Sequence, residues 1–285
     1  MNIIDETKKD YISLCKNKLQ LIFPTYIPNE AVAPVYDIER YYFRRITSVK
    51  RKIYISKKLN DISSHLEKAF REICDNITNG RELLKFQSRF LKKSNFDDKM
   101  LADWGIQHLH LETTIESDGY VKRSNELLFI RFTEKEAYLI GIYEHGDWSD
   151  TEIMETIHVE WPESIESFKM HNIIALENNI STVERQTLRS IGVNTPIQIS
   201  DGTVYMGPGM GLTTAGTPAI TTMKAQGFLR YLHRGFDTIK QKIDNILPGY
   251  EGGKITIGID TDTSPGHILF IIKETGLVIS IEDDY

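Results

Sequence analysis

The apolar residues of the first hundred positions recur with the period of a helix. A helix is predicted over residues 4–22, where apolar side chains return every three or four positions. A second helical stretch is predicted from residue 59 to residue 93. Gly80 is expected to break or kink it, because glycine commonly follows a helix end. The pattern therefore predicts a mostly helical N-terminal region over residues 1–98.

The middle of the chain changes to the pattern of strands, in which polar and apolar residues alternate or short apolar runs lie between turns. Strands are predicted over residues 105–116, 126–132 and 137–145. Three antiparallel strands followed by a short helix predict a small α+β unit over residues 99–175.

Two capping boxes predict the starts of later helices. Ser149 with Glu152, and Ser181 with Glu184, match the Ser-x-x-Glu pattern whose side chains satisfy free N–H groups at a helix start. Three closing strands are predicted at residues 254–261, 267–274 and 277–282. Residues 176–285 are therefore predicted to form a C-terminal α/β unit, and the whole chain an α+β fold.

Composition and charge are those of an ordinary folded protein. The chain has 285 residues, 40% of them hydrophobic, and a formal net charge of −6, so the molecule as a whole has no general attraction for a polyanion. Cys15 and Cys74 lie in helical patterns and are predicted to be buried free thiols of a reducing compartment. The chain start lacks the apolar core of a signal peptide, and no apolar run approaches the roughly 18 residues that span a bilayer. A cytoplasmic protein without a membrane partner is therefore expected.

Two histidines and a carboxylate share one face of the first predicted strand. Since residues at i, i+2 and i+4 of a strand point the same way, His108, His110 and Glu112 are expected on its solvent side. Imidazole suits proton transfer because its unperturbed pKa lies near physiological pH. The two imidazoles could act as general acid and base. Alternatively, they could form a two-histidine, one-carboxylate metal site.

Further candidate residues follow this strand. Lys122 and Arg123 could stabilise the charge that develops on a reacting phosphorus atom. His145 ends the third predicted strand, and neighbouring antiparallel strands can bring it close to the first. The candidate catalytic residues are His108, His110, Lys122, Arg123 and His145, with no metal and no cofactor assigned.

This part of the chain resembles the RelE/ParE-like endoribonuclease toxins, a barnase/RelE-type family built on a helix and an antiparallel sheet. The resemblance covers residues 105–161. It rests on the histidine strand, the hairpin with Lys122 and Arg123, the apolar strand that follows, and a strand ending at His145. It implies RNA cleavage through the substrate's own 2′-hydroxyl, without metal, by basic or imidazole side chains on the sheet. It also implies a toxin or antiphage effector that a protein partner restrains.

A basic run between positions 40 and 58 contains eight cations and no acid, with aromatic residues between them. Cations neutralise phosphates while aromatic faces stack on unpaired bases, the combination used by single-strand binders. The candidate nucleic-acid-binding residues are Arg40, Arg44, Arg45, Lys50, Arg51 and Lys52.

The sequence therefore predicts a nuclease-like toxin or antiphage effector that cleaves RNA by metal-independent acid–base transesterification. The expected partners are RNA or single-stranded nucleic acid and an inhibitory or complex-forming protein. Two alternatives stay open. One is a non-enzymatic nucleic-acid- or protein-binding subunit of a larger complex, with structural histidines. The other is a metal-dependent hydrolase that uses the strand of His108 and His110.

Overall fold

The computed structural model describes residues 1–173, 175–178, 180–263 and 268–281, and its fold is α+β, as predicted. The helices of these residues are α1 (Thr7–Ile22), α2 (Ala33–Arg44), α3 (Ser64–Asn79), α4 (Lys99–Trp104), α5 (Glu152–Glu160), α6 (Thr182–Ser190), α7 (Ala219–Gln241) and α8 (Ile243–Ile246). The strands are β1 (Asn2–Asp5), β2 (Lys52–Ile55), β3 (Ile106–His110), β4 (Glu126–Phe132), β5 (Glu136–Glu144), β6 (Ile197–Gln198), β7 (Val204–Tyr205), β8 (Lys254–Ile259), β9 (Leu269–Ile272) and β10 (Leu277–Ser280). Across the described ranges we find no helix with the length and apolar character that crossing a bilayer requires.

One compact unit combines Met1–Glu39 with the described residues of Thr221–Tyr285. Its sheet has the strand order β1-β8-β9-β10, with β1 parallel to β8 and the other neighbours antiparallel. α1 contacts β8 and buries the side chains of Tyr11, Cys15 and Leu19, which recur at helical spacing. The two ends of the sequence thus share one sheet.

The second unit, Arg40–Ile220, is built on a sheet of order β2-β5-β4-β3. β3, β4 and β5 are antiparallel neighbours, which confirms the three predicted strands, although the first is shorter than expected and ends at His110. β2 pairs in parallel with β5 and lies inside the region that the sequence predicted to be helical.

These units cut across the regions expected from the sequence, which were 1–98, 99–175 and 176–285. The physical reason is strand pairing, since backbone hydrogen bonds join β1 to β8 and β2 to β5 across long stretches of chain. Periodicity within a segment predicts a strand but not its partner. His267 and Glu282, which the predicted closing strands included, lie outside the described residues.

Both faces of the second unit's sheet are covered by apolar side chains. Along β4, successive residues alternate between a core shared with α3 and a core shared with α5. A strand covered on both faces needs apolar residues at every position, which accounts for its continuous apolar run. On β3, Leu109 belongs to the α3 core and Ile106 to the α5 core. The strand period of two therefore places His108 and His110 on the α5 side of the sheet.

The two predicted capping boxes have different outcomes. At α6 the prediction is confirmed, since the Glu184 N–H donates to Ser181 Oγ at 3.3 Å and the Ser181 N–H donates to the Glu184 carboxylate at 2.9 Å. At α5 it is wrong, because Thr151 precedes the helix without a capping side-chain bond. Ser149 is buried instead, and its hydroxyl accepts a hydrogen bond from Arg189.

Both cysteines are free thiols, as predicted, but only Cys15 is buried and Cys74 is half-buried. Burial raises the pKa of Cys15 to about 12 and the pKa of Cys74 to about 11. Because the thiolate is the reactive form of cysteine, neither residue is an activated nucleophile.

Candidate functional site

A cavity of about 800 Å³ lies in the second unit and gathers side chains from several segments. Its size is that of a site for a small ligand. Among the residues that line it are Phe90, Phe96, Asp98, His108, His110, Arg123, His145, Trp148, Gln186 and Arg189.

Strand pairing brings three imidazoles to this cavity. On β3, His108 and His110 share a face, and His110 lies opposite Leu127 of β4. Leu127 in turn lies opposite Tyr143 of β5, two residues before His145. The ring centroids of His110 and His145 are 5.8 Å apart. The structure therefore brings together the three histidines that the sequence singled out.

His110 is a buried imidazole whose Nδ1 atom has a defined role. The residue is 5% exposed, and its Nδ1 lies 3.4 Å from Ser124 Oγ. The Ser124 hydroxyl donates its hydrogen to the Glu126 carbonyl oxygen at 2.7 Å, so that Oγ can only accept from His110. We therefore assign the proton to Nδ1 and leave Nε2 as an unprotonated base. Burial, and secondly His108 and His145, lower the pKa of His110 to about 4.

His108 is paired with Asp98, which the sequence prediction missed. His108 Nδ1 lies 3.5 Å from Asp98 Oδ2, with the side chains 14% and 15% exposed. The other carboxylate oxygen of Asp98 accepts from the Leu101 N–H at 3.0 Å and so fixes Asp98 at the start of α4. Burial lowers the pKa of His108, and the Asp98 carboxylate opposes that shift. The helix-start position of Asp98 is visible in the sequence, but its proximity to His108 is not.

Arg123 contacts His145 at the cavity wall. Its Nε–H donates to His145 Nε2 at 3.3 Å, and because arginine can only donate, this arrangement requires a neutral His145 ring. Burial, followed by Arg123 and His108, lowers the pKa of His145. The cavity arginines Arg89 and Arg189 form ion pairs with carboxylates, whereas among the described residues no such pair is found for Arg123. Arg123 is thus available to an anionic ligand.

Arg189 of α6 holds the segment that follows β5. Its guanidinium donates to Asp103 Oδ2 at 2.8 Å, to Ser149 Oγ at 3.0 Å and to the Trp148 carbonyl oxygen. These bonds tie one side of the cavity to α6, an element that the sequence prediction did not connect with the histidines.

Trp148 completes the aromatic surroundings of the imidazoles. Its ring stacks on Phe129 of β4 with a centroid separation of 5.5 Å. It also lies 4.9 Å from the ring of His108 and 5.5 Å from the ring of His145. These contacts restrict both imidazoles and exclude water from them, which agrees with the lowered pKa of each ring.

Two residues that the sequence grouped with the histidines lie elsewhere. Because β3 ends at His110, the strand alternation does not reach Glu112, whose carboxylate accepts from the Thr113 and Thr114 N–H groups at 2.7 and 3.0 Å. Lys122 is exposed and does not line the cavity. The expected solvent-side group of His108, His110 and Glu112 is therefore corrected to the two histidines, both of which line the cavity rather than an open surface.

The basic run does not form one cationic surface. Arg44 and Arg51 are 5% and 8% exposed and donate to backbone carbonyl oxygens. Arg40 and Arg45 each pair with an acidic side chain. The exposed members of the predicted set are Lys50 and Lys52. The buried arginines stabilise the fold, and a role of the run in nucleic-acid binding stays a prediction.

The donor groups near the histidines do not favour a metal ion. In the part of the chain that the structure describes, no group of three or more His, Cys, Asp or Glu side chains is arranged to hold one. A catalytic zinc site needs about three protein ligands. Glu112 accepts backbone bonds instead, and Arg123 places a cation on His145.

Comparisons with protein-family models, with curated proteins and with solved structures find no match to this chain. The resemblance of residues 105–161 to RelE/ParE-like toxins therefore stays a prediction.

Proposed function

We propose that this protein is an endoribonuclease that cleaves RNA through its 2′-hydroxyl, without a metal ion, in the histidine cavity. One observation carries the proposal: neutral imidazoles of His110 and His145 lie 5.8 Å apart beside Arg123, a cation without a carboxylate partner among the described residues. Acid–base chemistry on a phosphodiester needs a base, an acid and a positive charge near the phosphate. In this group His110 supplies the base, His145 supplies the acid once it is protonated, and Arg123 supplies the charge.

The proposed reaction is an in-line transfer. Nε2 of His110 removes the proton of the 2′-hydroxyl, and the 2′-oxygen forms a bond to phosphorus. The bond from phosphorus to the 5′-oxygen breaks, and the leaving oxygen takes a proton from the protonated ring of His145. The products are a 2′,3′-cyclic phosphate and a free 5′-hydroxyl. Arg123 stabilises the charge on the phosphoryl oxygens, and His108 with Asp98 supports His110 from the cavity wall.

The pKa directions set a pH requirement for this reaction. The free protein must hold one protonated and one neutral imidazole, yet the pKa of His110 is about 4 and that of His145 is lowered. Because the protonated fraction of His145 falls as pH rises through a pKa that lies below the ordinary histidine value of 6.5, kcat/KM should already be declining when pH 6.5 is reached. A bound phosphate opposes the effect of Arg123 and raises the pKa of His145, so kcat should decline at higher pH than kcat/KM.

The test is cleavage of a mixed-sequence RNA by the full-length protein with a chelator present. His110→Gln and His145→Gln should each lower the rate by about 100-fold or more. His65→Gln, at a histidine whose side chain is 65% exposed in the same unit, should leave the rate unchanged. Equal loss in all three variants, or full activity in His110→Gln, would reject the proposal.

A non-enzymatic nucleic-acid-binding subunit is the second candidate, and one observation favours it. The pKa of each of the three imidazoles is lowered, so the free protein holds little imidazolium at neutral pH. Retardation of RNA in a gel without cleavage at every pH from 5 to 8 would select this candidate.

The biological part of the proposal is a toxin or antiphage effector that acts in the cytoplasm and is restrained by a protein partner. It rests on the resemblance of residues 105–161 to ribonuclease toxins. Induced expression should arrest growth of a bacterial host, and His110→Gln should relieve the arrest. If the wild-type protein and the His110→Gln variant, present in equal amounts, both arrested growth, the toxicity would not depend on the proposed chemistry.

A further inference from the structure

We infer that Phe90 and Phe96 form a stacking platform for an unpaired base of the substrate, so that the cavity takes single-stranded RNA. The inference rests on the proposed function for its choice of RNA. It goes beyond that function by assigning a base-binding subsite to residues that take no part in the chemistry.

The two phenylalanines form a preorganised aromatic surface. Their rings stack with a centroid separation of 4.5 Å and an angle of 19°, and both line the cavity that holds the histidines. Phe90 nevertheless stays 46% exposed, and Lys93 Nζ lies 4.8 Å from the centroid of its ring, so a base that stacks there displaces this side chain. Isolated apolar residues on a surface are common, but an exposed, stacked aromatic pair at a catalytic cavity matches the surface on which nucleic-acid bases stack.

The platform is held by a buried arginine. Arg44 donates to the carbonyl oxygens of Phe90 and Lys93 at 3.1 and 3.0 Å, and its guanidinium lies 5.9 Å from the centroid of the Phe96 ring. Ser88 caps the short helix Arg89–Lys92, since its hydroxyl accepts from the Phe90 N–H at 3.3 Å. The backbone of this segment is therefore fixed without a ligand, which reduces the entropy that binding must overcome.

A polar group in the same cavity can recognise the edge of a stacked base. Gln186 of α6 lines the cavity, its residue is exposed, and no side-chain hydrogen bond is found for it among the described residues. An amide offers both donors and an acceptor, as the edge of a base requires. Stacking on Phe90 and Phe96, an edge contact to Gln186 and a phosphate contact to Arg123 would hold one nucleotide.

These contacts favour a single strand over a duplex. A paired base has its faces covered by its neighbours and its edge occupied by its partner, so stacking on a protein ring requires a base that is splayed out. The cavity of about 800 Å³ suits such a base and not a double helix.

The test measures binding without cleavage, using the full-length protein and a labelled single strand of 2′-O-methyl RNA, which lacks the nucleophilic hydroxyl. Fluorescence anisotropy gives Kd for this strand, for an abasic strand with the same backbone, and for a duplex. The variants are Phe90→Ala and Phe90→Leu, the second of which keeps apolar packing but removes the aromatic face. Val159→Ala, at an apolar residue of α5 that is 72% exposed and does not line the cavity, is the control.

The wild-type protein should bind the base-bearing strand more tightly than the abasic strand and the duplex. Both Phe90 variants should raise Kd by about 5- to 100-fold, the range expected for one stacked base. Val159→Ala should leave Kd unchanged. Each variant is first compared with wild type by thermal unfolding.

Three outcomes would overturn the inference: no binding by the wild-type protein, equal Kd for the base-bearing and abasic strands, or wild-type Kd in Phe90→Leu. Cleavage of unmodified RNA is measured separately. Base-dependent binding without cleavage would reject the ribonuclease activity and keep the subsite. Cleavage with wild-type binding in Phe90→Leu would reject the subsite and keep the activity.

Discussion

The pH dependence of stability tests the burial of His110 directly. Its pKa is about 4 in the folded protein, against a value of 6.5 when exposed. Between these values the unfolded chain binds the proton and the folded protein does not, so protonation favours unfolding. The contribution of His110 to stability is therefore fully present above pH 6.5 and is lost as pH falls towards 4. Replacement by Gln removes this titration.

The size of the effect follows from the two pKa values. One pH unit of difference in proton binding corresponds to about 1.4 kcal/mol, so the 1.5 units between pH 6.5 and pH 5 correspond to about 2 kcal/mol. The free energy of unfolding of the wild-type protein, minus that of His110→Gln, should therefore fall by about 2 kcal/mol between pH 7 and pH 5.

The assay is urea unfolding followed by tryptophan fluorescence at pH 7, 6 and 5. Trp104, Trp148 and Trp161 all lie in Arg40–Ile220, so the signal reports on the unit that contains the cavity. The profile of the control His65→Gln should run parallel to that of the wild type. Parallel profiles for wild type and His110→Gln would refute the argument that burial lowers the pKa of His110.

Three further predictions concern Asp98, Arg123 and Arg51. Asp98→Asn keeps a good capping residue at α4 but removes the charge beside His108. It should lower kcat by up to about 100-fold while changing thermal stability little. A wild-type kcat in this variant would show that Asp98 has only its capping role. Arg123→Gln should lower kcat/KM by about 100-fold or more. By raising the pKa of His145, it should also move the decline of kcat/KM to higher pH. The neighbouring Lys122→Gln should change kcat/KM little, and equal losses in both variants would indicate a general charge effect. Arg51→Ala should destabilise the second unit by about 2–4 kcal/mol in urea unfolding, because it removes buried hydrogen bonds to Thr133 and Thr47. Weaker RNA binding with unchanged stability would instead show that Arg51 binds nucleic acid.

Local patterns predicted the elements whose signals lie within one segment. α3 ends at Gly80 because the backbone of Gly80 is left-handed, with φ of 69°, a conformation that glycine adopts without strain. The capping box of Ser181 and Glu184 and the common face of His108 and His110 likewise depend on residues only a few positions apart. Such features follow from helix-capping preferences and from the periods of helix and strand, all of which lie within one segment.

Long-range packing could not be predicted from one sequence. The glycine-rich loop after β7 packs closely on α4. The Gly209 N–H donates to the Asp103 carbonyl oxygen at 2.9 Å, and the Gly211 N–H donates to the Ala102 carbonyl oxygen at 2.8 Å. A Cβ atom at Gly209 would lie 2.3 Å from the Leu101 carbonyl oxygen, so glycine permits this close approach. Neither this contact nor the approach of Asp98 to His108 leaves a periodic signal in the sequence.

The basic run shows why charge in a sequence does not define a surface. Arg44 and Arg51 fall among exposed lysines along the chain, but their guanidinium groups donate to carbonyl oxygens inside the second unit. Arginine can be buried when its donors are satisfied, and composition alone does not distinguish that case from a phosphate-binding residue. Arg123, which lies outside the run, lines the histidine cavity.

The chemistry of the cut ends tests the central claim most directly. The full-length protein is incubated in chelator with an RNA of defined sequence, and with the same RNA carrying a 2′-deoxynucleotide at the cleaved position; the ends are identified by mass spectrometry. Transesterification by the histidine cavity predicts 2′,3′-cyclic phosphate and 5′-hydroxyl ends on the first RNA and no cut at that position on the second. Ends with 5′-phosphate and 3′-hydroxyl groups, cleavage of the deoxy-substituted position, or loss of cutting in chelator would contradict the account.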